Sequence, residues 1–167
     1  MKKLLPILFI LAGLHASAQY GMRVKSAFSA GLELGIPQNS IYSIGPGISA
    51  KAELPIVDNI GLSLTGGYTN FFYKGNLYQS SLTPSPAGFI PLKAGIKYYF
   101  NQGVYVESEA GAVIETNYQR QGLFAFAVGP GFVLPVNDKH SFDFGFRYET
   151  WSHHQVRQTA IRFAYRF

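Results

Sequence analysis

The chain has 167 residues, enough for one domain, and carries a formal net charge of +5. It contains no cysteine, which excludes a disulfide framework and a thiolate metal centre. Two of its cations are Lys2 and Lys3; beyond them, twelve basic residues face nine acidic ones, too small an excess to argue for nucleic acid.

Lys2 and Lys3 open the segment MKKLLPILFILAGLHASAQ. An apolar run from Leu4 to Leu14 follows, then Ala16-Ser17-Ala18. A basic start, a short apolar stretch and small residues before Gln19 form the pattern of a cleaved signal peptide. The run is about half the roughly 20 residues that a membrane-spanning helix needs. The competing reading is a buried N-terminal helix. The expected organisation is a signal peptide over 1–18 and one domain over 19–167. No later stretch is apolar for long enough to span as a helix, so a membrane reading requires a closed barrel.

Turn residues divide the rest into eight alternating segments, near 23–36, 43–55, 59–73, 88–100, 103–116, 122–136, 140–151 and 156–167. Their lengths suit transmembrane strands. In the first, Val24, Phe28, Leu32, Leu34 and Ile36 oppose Arg23, Lys25, Gly31, Glu33 and Gly35. In the third, Ile60, Leu62, Leu64 and Tyr68 face away from Gly61, Ser63, Thr65, Gly67 and Thr69. The fourth sets Ile90, Leu92, Ile96, Tyr98 and Phe100 against Lys93, Gly95, Lys97 and Tyr99. The fifth is weaker, with Val104, Val106, Ala110, Ala112 and Ile114 on its apolar side. The sixth places Phe124, Phe126, Val128, Phe132 and Leu134 opposite Ala125, Ala127, Gly129 and Gly131. The seventh gives Phe142, Phe144, Phe146 and Tyr148 against Asp143, Gly145, Arg147 and Glu149, and the chain ends on the alternating AIRFAYRF. A period of two gives each strand two unlike faces.

The connections after the second, fourth and sixth segments are short, and those after the odd-numbered segments are expected to be longer. This asymmetry fits a barrel with short turns on the periplasmic side and long loops outside. Gly45-Pro46-Gly47 recurs as Gly129-Pro130-Gly131, four segments later. Proline cannot donate to a ladder, so a bulge is expected at each site.

A soluble lipocalin-like barrel would hide the aromatic face, and a membrane barrel would turn it to lipid. The opposite face decides. It is mostly Gly, Ala, Ser and Thr, with Arg23, Lys25, Lys51, Lys93, Lys97, Arg147, Arg162 and Arg166 set against Glu33, Glu53, Glu107, Glu109, Glu115, Asp143 and Glu149. Small residues suit the crowded interior of an eight-stranded barrel, and near-balanced charge predicts a paired network in the lumen. Tyr68, Tyr148 and Trp151 towards the loops, and Phe100, Phe142, Tyr165 and Phe167 towards the turns, are expected to form two aromatic girdles. The predicted fold is all-β: an eight-stranded antiparallel up-and-down transmembrane β-barrel after a cleaved signal peptide.

Phe163, Tyr165 and the terminal Phe167 resemble the C-terminal signal read by the barrel-assembly machinery of Gram-negative bacteria. The leader ending Ala-Gln, FSAGLELGI, FIPLKAGIKYYF, FGFRYE and the final YRF are similar to the outer membrane protein β-barrel domain family common in Bacteroidetes. The resemblance covers essentially the whole chain after the leader. It implies location in the cell outer membrane, contact with its lipid, and no catalytic residues to carry over.

The best catalytic grouping is Trp151-Ser152-His153-His154 with Glu149 nearby. Outer-membrane lipid A deacylases resemble a His-x-Ser order followed by Glu, whereas this chain has Ser-His-His with no later Glu. Adjacent residues of an extended chain point apart, so His153 and His154 make a poor metal pair. Glu107 and Glu109 stand about 7 Å apart by strand rise, a lumen pair awaiting Lys or Arg. No enzyme activity, cofactor or metal is expected. Loop 74–87, KGNLYQSSLTPSPA, is expected to serve as a contact surface for an envelope partner. The expected role is a structural, surface-presenting or accessory envelope barrel; a small pore or ligand-transport barrel, and an outer-leaflet lipid A-modifying hydrolase, are the alternatives.

Overall fold

The computed structural model describes residues 24–38, 40–75, 84–100, 103–118, 120–137, 139–152 and 156–167. Alternating side chains make eight strands: β1 (Ala27–Gln38), β2 (Tyr42–Val57), β3 (Ile60–Tyr73), β4 (Ala87–Tyr99), β5 (Val104–Glu115), β6 (Gly122–Pro135), β7 (Ser141–Trp151) and β8 (Arg157–Arg166). Each pairs antiparallel with the next, and β8 returns to β1. Phe28 and Phe167 fasten that seam with reciprocal backbone hydrogen bonds of 3.1 and 2.9 Å. Closure leaves no strand edge unpaired.

Stepping round the barrel from Phe28 through Ala52, Leu64, Ala94, Ala110, Phe126, Thr150 and Arg157 returns to β1 at Gln38, ten residues further along. That stagger tilts the strands by about 40° and leaves an interior only wide enough for side chains.

The aromatic and aliphatic faces all point outward. Leu32, Ile48, Leu64, Leu92, Ile96, Phe124, Phe146 and Ile161 are among the exposed large side chains. The aromatic rows stack along the wall, with Phe132 on Phe144 at 4.8 Å and Phe142 on Phe163 at 5.3 Å between ring centroids. The terminal Phe163, Tyr165 and Phe167 lie on this outer face.

Five expectations change. The first strand starts at Ala27, so Lys25 precedes it and is exposed rather than in the lumen; Arg23 and the leader over 1–18 lie outside the described residues. The β1–β2 connection is only residues 39–41, shorter than the turns at 100–103 and 136–140 on the other end, because both strands run beyond their expected ends. Trp151 turns into the lumen, 3% exposed. It shares its parity with Glu149, and residues two apart on a strand share a face.

Fourth, neither Gly-Pro-Gly carries a bulge. The β1–β2 register runs unbroken through Leu34↔Pro46, and the β5–β6 register through Val106↔Pro130. The repeat instead makes room. A Cβ on Gly45 would strike the Phe71 ring, and one on Gly131 would strike the Tyr105 ring, which lies directly across the ladder. Each repeat thus places a glycine against an inward aromatic of a neighbouring strand, Phe71 on β3 for Gly45 and Tyr105 on β5 for Gly131. Gly131→Ala is expected to destabilise the barrel by about 1–3 kcal/mol through overpacking, read as a lower urea midpoint.

Fifth, the register of β2 on β3 shifts instead between Tyr42 and Ile44 and between Pro55 and Val57. The first shift breaks the alternation: Ser43 and Ile44 are both exposed, and Tyr42 is turned inside.

Candidate functional site

The lumen has two zones. Towards the short turns and the middle lie the ionised side chains. Lys51 pairs with Glu107 at 2.5 Å and with Glu109 at 3.2 Å. Lys93 joins Glu109 at 3.6 Å and Glu149 at 2.9 Å. Arg147 donates from Nε to Glu149 at 2.9 Å and grips Glu33 with both terminal nitrogens, at 3.3 and 2.6 Å. Arg162 lies 3.7 Å from Glu33 and 3.9 Å from Asp143. Lys97 bridges Asp143 at 3.2 Å and Glu53 at 3.3 Å, and Arg166 closes on Glu53 at 3.4 Å.

Among the described residues these contacts form one unbranched chain: Glu107, Lys51, Glu109, Lys93, Glu149, Arg147, Glu33, Arg162, Asp143, Lys97, Glu53, Arg166. Along its interior every cation lies between anions and every anion between cations; Glu107 and Arg166 are its two ends. The twelve members come from six strands, and many partners reach across the barrel. Arg147 on β7 meets Glu33 on β1 although β8 lies between them. Glu107 and Glu109, on one face of β5, share Lys51 on β2.

Neutral donors complete the shell. Thr65 donates to Glu109 at 2.5 Å, Tyr99 to Glu53 at 2.7 Å, Tyr105 to Asp143 at 2.5 Å and the Trp151 indole to Glu149 at 2.6 Å. Lys97 also sits 4.0 Å from the centre of the Tyr105 ring. Alternation and these added hydrogen bonds offset part of the hydration that each buried ion loses. Two cavities along the chain measure 20 and 10 Å³, at most about one water molecule each.

Towards the loops the lumen becomes apolar. Tyr42, Phe71, Phe89, Val113, Leu123, Trp151 and Val156 form a buried cluster. Phe71 packs edge-on against Phe89 and Trp151, at 5.6 and 5.7 Å between centroids. Sequence reasoning overlooked this plug. For Phe71 and Phe89 the clue was their parity, shared with Thr69 and Lys93; for Tyr42 alternation pointed the wrong way.

Solved structures with this architecture follow from the geometry. Ail, the attachment invasion locus protein of Yersinia pestis, matches with a TM-score of 0.60 at 16% identity, over 87% of this chain and 100% of Ail. Its backbone structure in a phospholipid bilayer nanodisc gives 0.57 at 14% identity, over 86% and 100%. A structure described as de novo design of transmembrane β-barrels gives 0.54 at 14%, over 87% and 100%. The fold is that of the eight-stranded outer-membrane barrels. No protein-family model and no curated protein sequence matches the chain.

In this barrel the long loop after β3 is anchored where it rejoins the wall. Asn117 donates from its side chain to the Pro86 carbonyl at 2.8 Å and accepts from the Gly88 amide at 2.9 Å. The Tyr118 hydroxyl donates to the Ser85 carbonyl at 2.6 Å. Residues 76–83 of loop 74–87 lie outside the described residues, as do His153 and His154. Ser152 accepts a hydrogen bond from the Phe124 amide at 3.1 Å, while Glu149 is held inside by Lys93, Arg147 and Trp151. Ser152 and Glu149 therefore serve different neighbourhoods. Glu115 faces the lumen at the loop end, apart from the charged chain.

Proposed function

We propose that the protein is a non-enzymatic outer-membrane barrel, delivered by a cleaved signal peptide, that holds its loops at the cell surface as a structural or accessory envelope component. The observation that carries this reading is the filled lumen. An unbroken ion-pair chain and an aromatic plug occupy the bore, so the outward apolar wall, the loops and the mouth they surround are the surfaces left for function. Both suit a protein seated in lipid. The motifs FSAGLELGI, FIPLKAGIKYYF and FGFRYE support a place in the outer membrane protein β-barrel domain family of the Bacteroidetes type. The outward Phe163, Tyr165 and Phe167 suit a terminal strand handed to the barrel-assembly machinery.

The test is purification from membranes in maltoside detergent, with co-purifying proteins and lipids identified and the same sample placed in a planar bilayer. The expected result is a heat-sensitive shift in gel mobility, no discrete conductance steps, and either a stoichiometric envelope protein or bulk lipid alone. The first of these last two makes it an accessory subunit and the second a solitary surface protein. Steady ohmic conductance, or a lipid A profile that changes only when Ser152 is intact, would overturn the reading.

A further inference from the structure

The mouth of the barrel at the loop end encloses a cavity of 430 Å³, within the range of small-molecule pockets. Its wall is aromatic, lined by Tyr42, Tyr73, Phe89, Tyr118 and Trp151. Ring centroids lie 5.1 Å apart for Tyr42 and Tyr73, 6.2 Å for Tyr73 and Tyr118, and 4.9 Å for Phe89 and Trp151.

One carboxylate, that of Glu115, shares this lining and is 7% exposed. Among the described residues Glu115 joins no ion pair, and the chain below it is already neutral with six cations and six anions. Glu115 is therefore a buried carboxylate that the ion-pair chain does not neutralise. Around it stand ring faces whose quadrupoles also attract cations.

The wall is set in place beforehand. Tyr118 takes a left-handed backbone, φ 55°, and its hydroxyl is fixed on Ser85. The indole N–H of Trp151 is engaged below by Glu149, which leaves its carbon surface to the cavity.

We propose that this mouth binds a small organic cation, an alkylammonium group seated on the aromatic faces with the Glu115 carboxylate as its counter-charge. Only the side to which the mouth opens, the cell exterior, rests on the outer-membrane reading; the binding does not.

Trp151 is the single tryptophan of the chain, so its fluorescence reports the site. The probe is choline chloride, titrated into the barrel folded in maltoside at constant ionic strength. The control is 3,3-dimethylbutanol, its uncharged isostere. Choline is expected to give a saturable change, and the isostere to bind at least about tenfold more weakly. Glu115→Gln should weaken choline about tenfold while keeping the heat-sensitive gel shift. Tyr118→Ala, whose ring is exposed, should weaken it about threefold and settles the matter if the Gln variant does not fold. Equal responses to choline and its isostere would overturn the proposal. So would a response that never saturates, or a folded Glu115→Gln barrel that binds choline as the parent does.

Discussion

Lys97→Met is expected to destabilise the folded barrel by about 3–5 kcal/mol, the penalty for leaving buried charge without its partner. Lys97 is fully buried and lies between Asp143 and Glu53, at 3.2 and 3.3 Å. Its removal cuts the charged chain near one end. Asp143 keeps Arg162 at 3.9 Å and the Tyr105 hydroxyl, and Glu53 keeps Arg166 and Tyr99. Both anions would then face each other across a methionine. The readout is urea unfolding in lipid vesicles, followed by Trp151 fluorescence. A triple variant, Lys97→Met with Asp143→Asn and Glu53→Gln, should recover part of the loss because the unpaired charges go with the lysine. A loss below about 1 kcal/mol for Lys97→Met would place the chain among weakly coupled surface ion pairs and end the account of a tightly paired lumen.

Leu92→Arg tests the opposite face. Leu92 lies in the middle of β4, points outward and is 51% exposed. In lipid, an arginine there should cost about 2–4 kcal/mol, with smaller costs nearer the two rims. In water the same change would fall within about 0.5 kcal/mol, as surface substitutions do. Unfolding of parent and variant in vesicles separates the two cases. A neutral Leu92→Arg, or one improved by the added charge, would remove the membrane from the account and leave a soluble barrel with an exposed apolar wall.

The strand positions were legible because a period of two runs through most of every segment. A strand with bulky apolar residues on one parity and small or charged residues on the other has little freedom in how it faces its surroundings. That pattern also selected the lumen charges from Glu33 to Arg166. It failed at particular places for particular reasons. Lys25 carries the right parity but precedes the start of β1 at Ala27. Tyr42 lies beyond a register shift, so counting by twos puts it on the wrong side. Trp151 reads as an interfacial aromatic by type, although its spacing from Glu149 places it inside. Gly45 and Gly131 read as bulge formers beside proline, whereas their use is to admit the rings of Phe71 and Tyr105.

Alternation by itself determined the eight strands, their two faces and the near-balance of charge on the inner one, because side-chain direction in an extended chain is a local property. Pairing was decided only by the closed barrel. A stagger of ten residues sets the height of each side chain in the lumen. Height selects Glu33 for Arg147 and Glu107 for Lys51, gathers Tyr42, Phe71, Phe89 and Trp151 into one plug, and sets Glu115 at the mouth, outside the ion-pair chain of the described residues. Those neighbours lie across the bore, where the order of residues along a strand carries no information about distance.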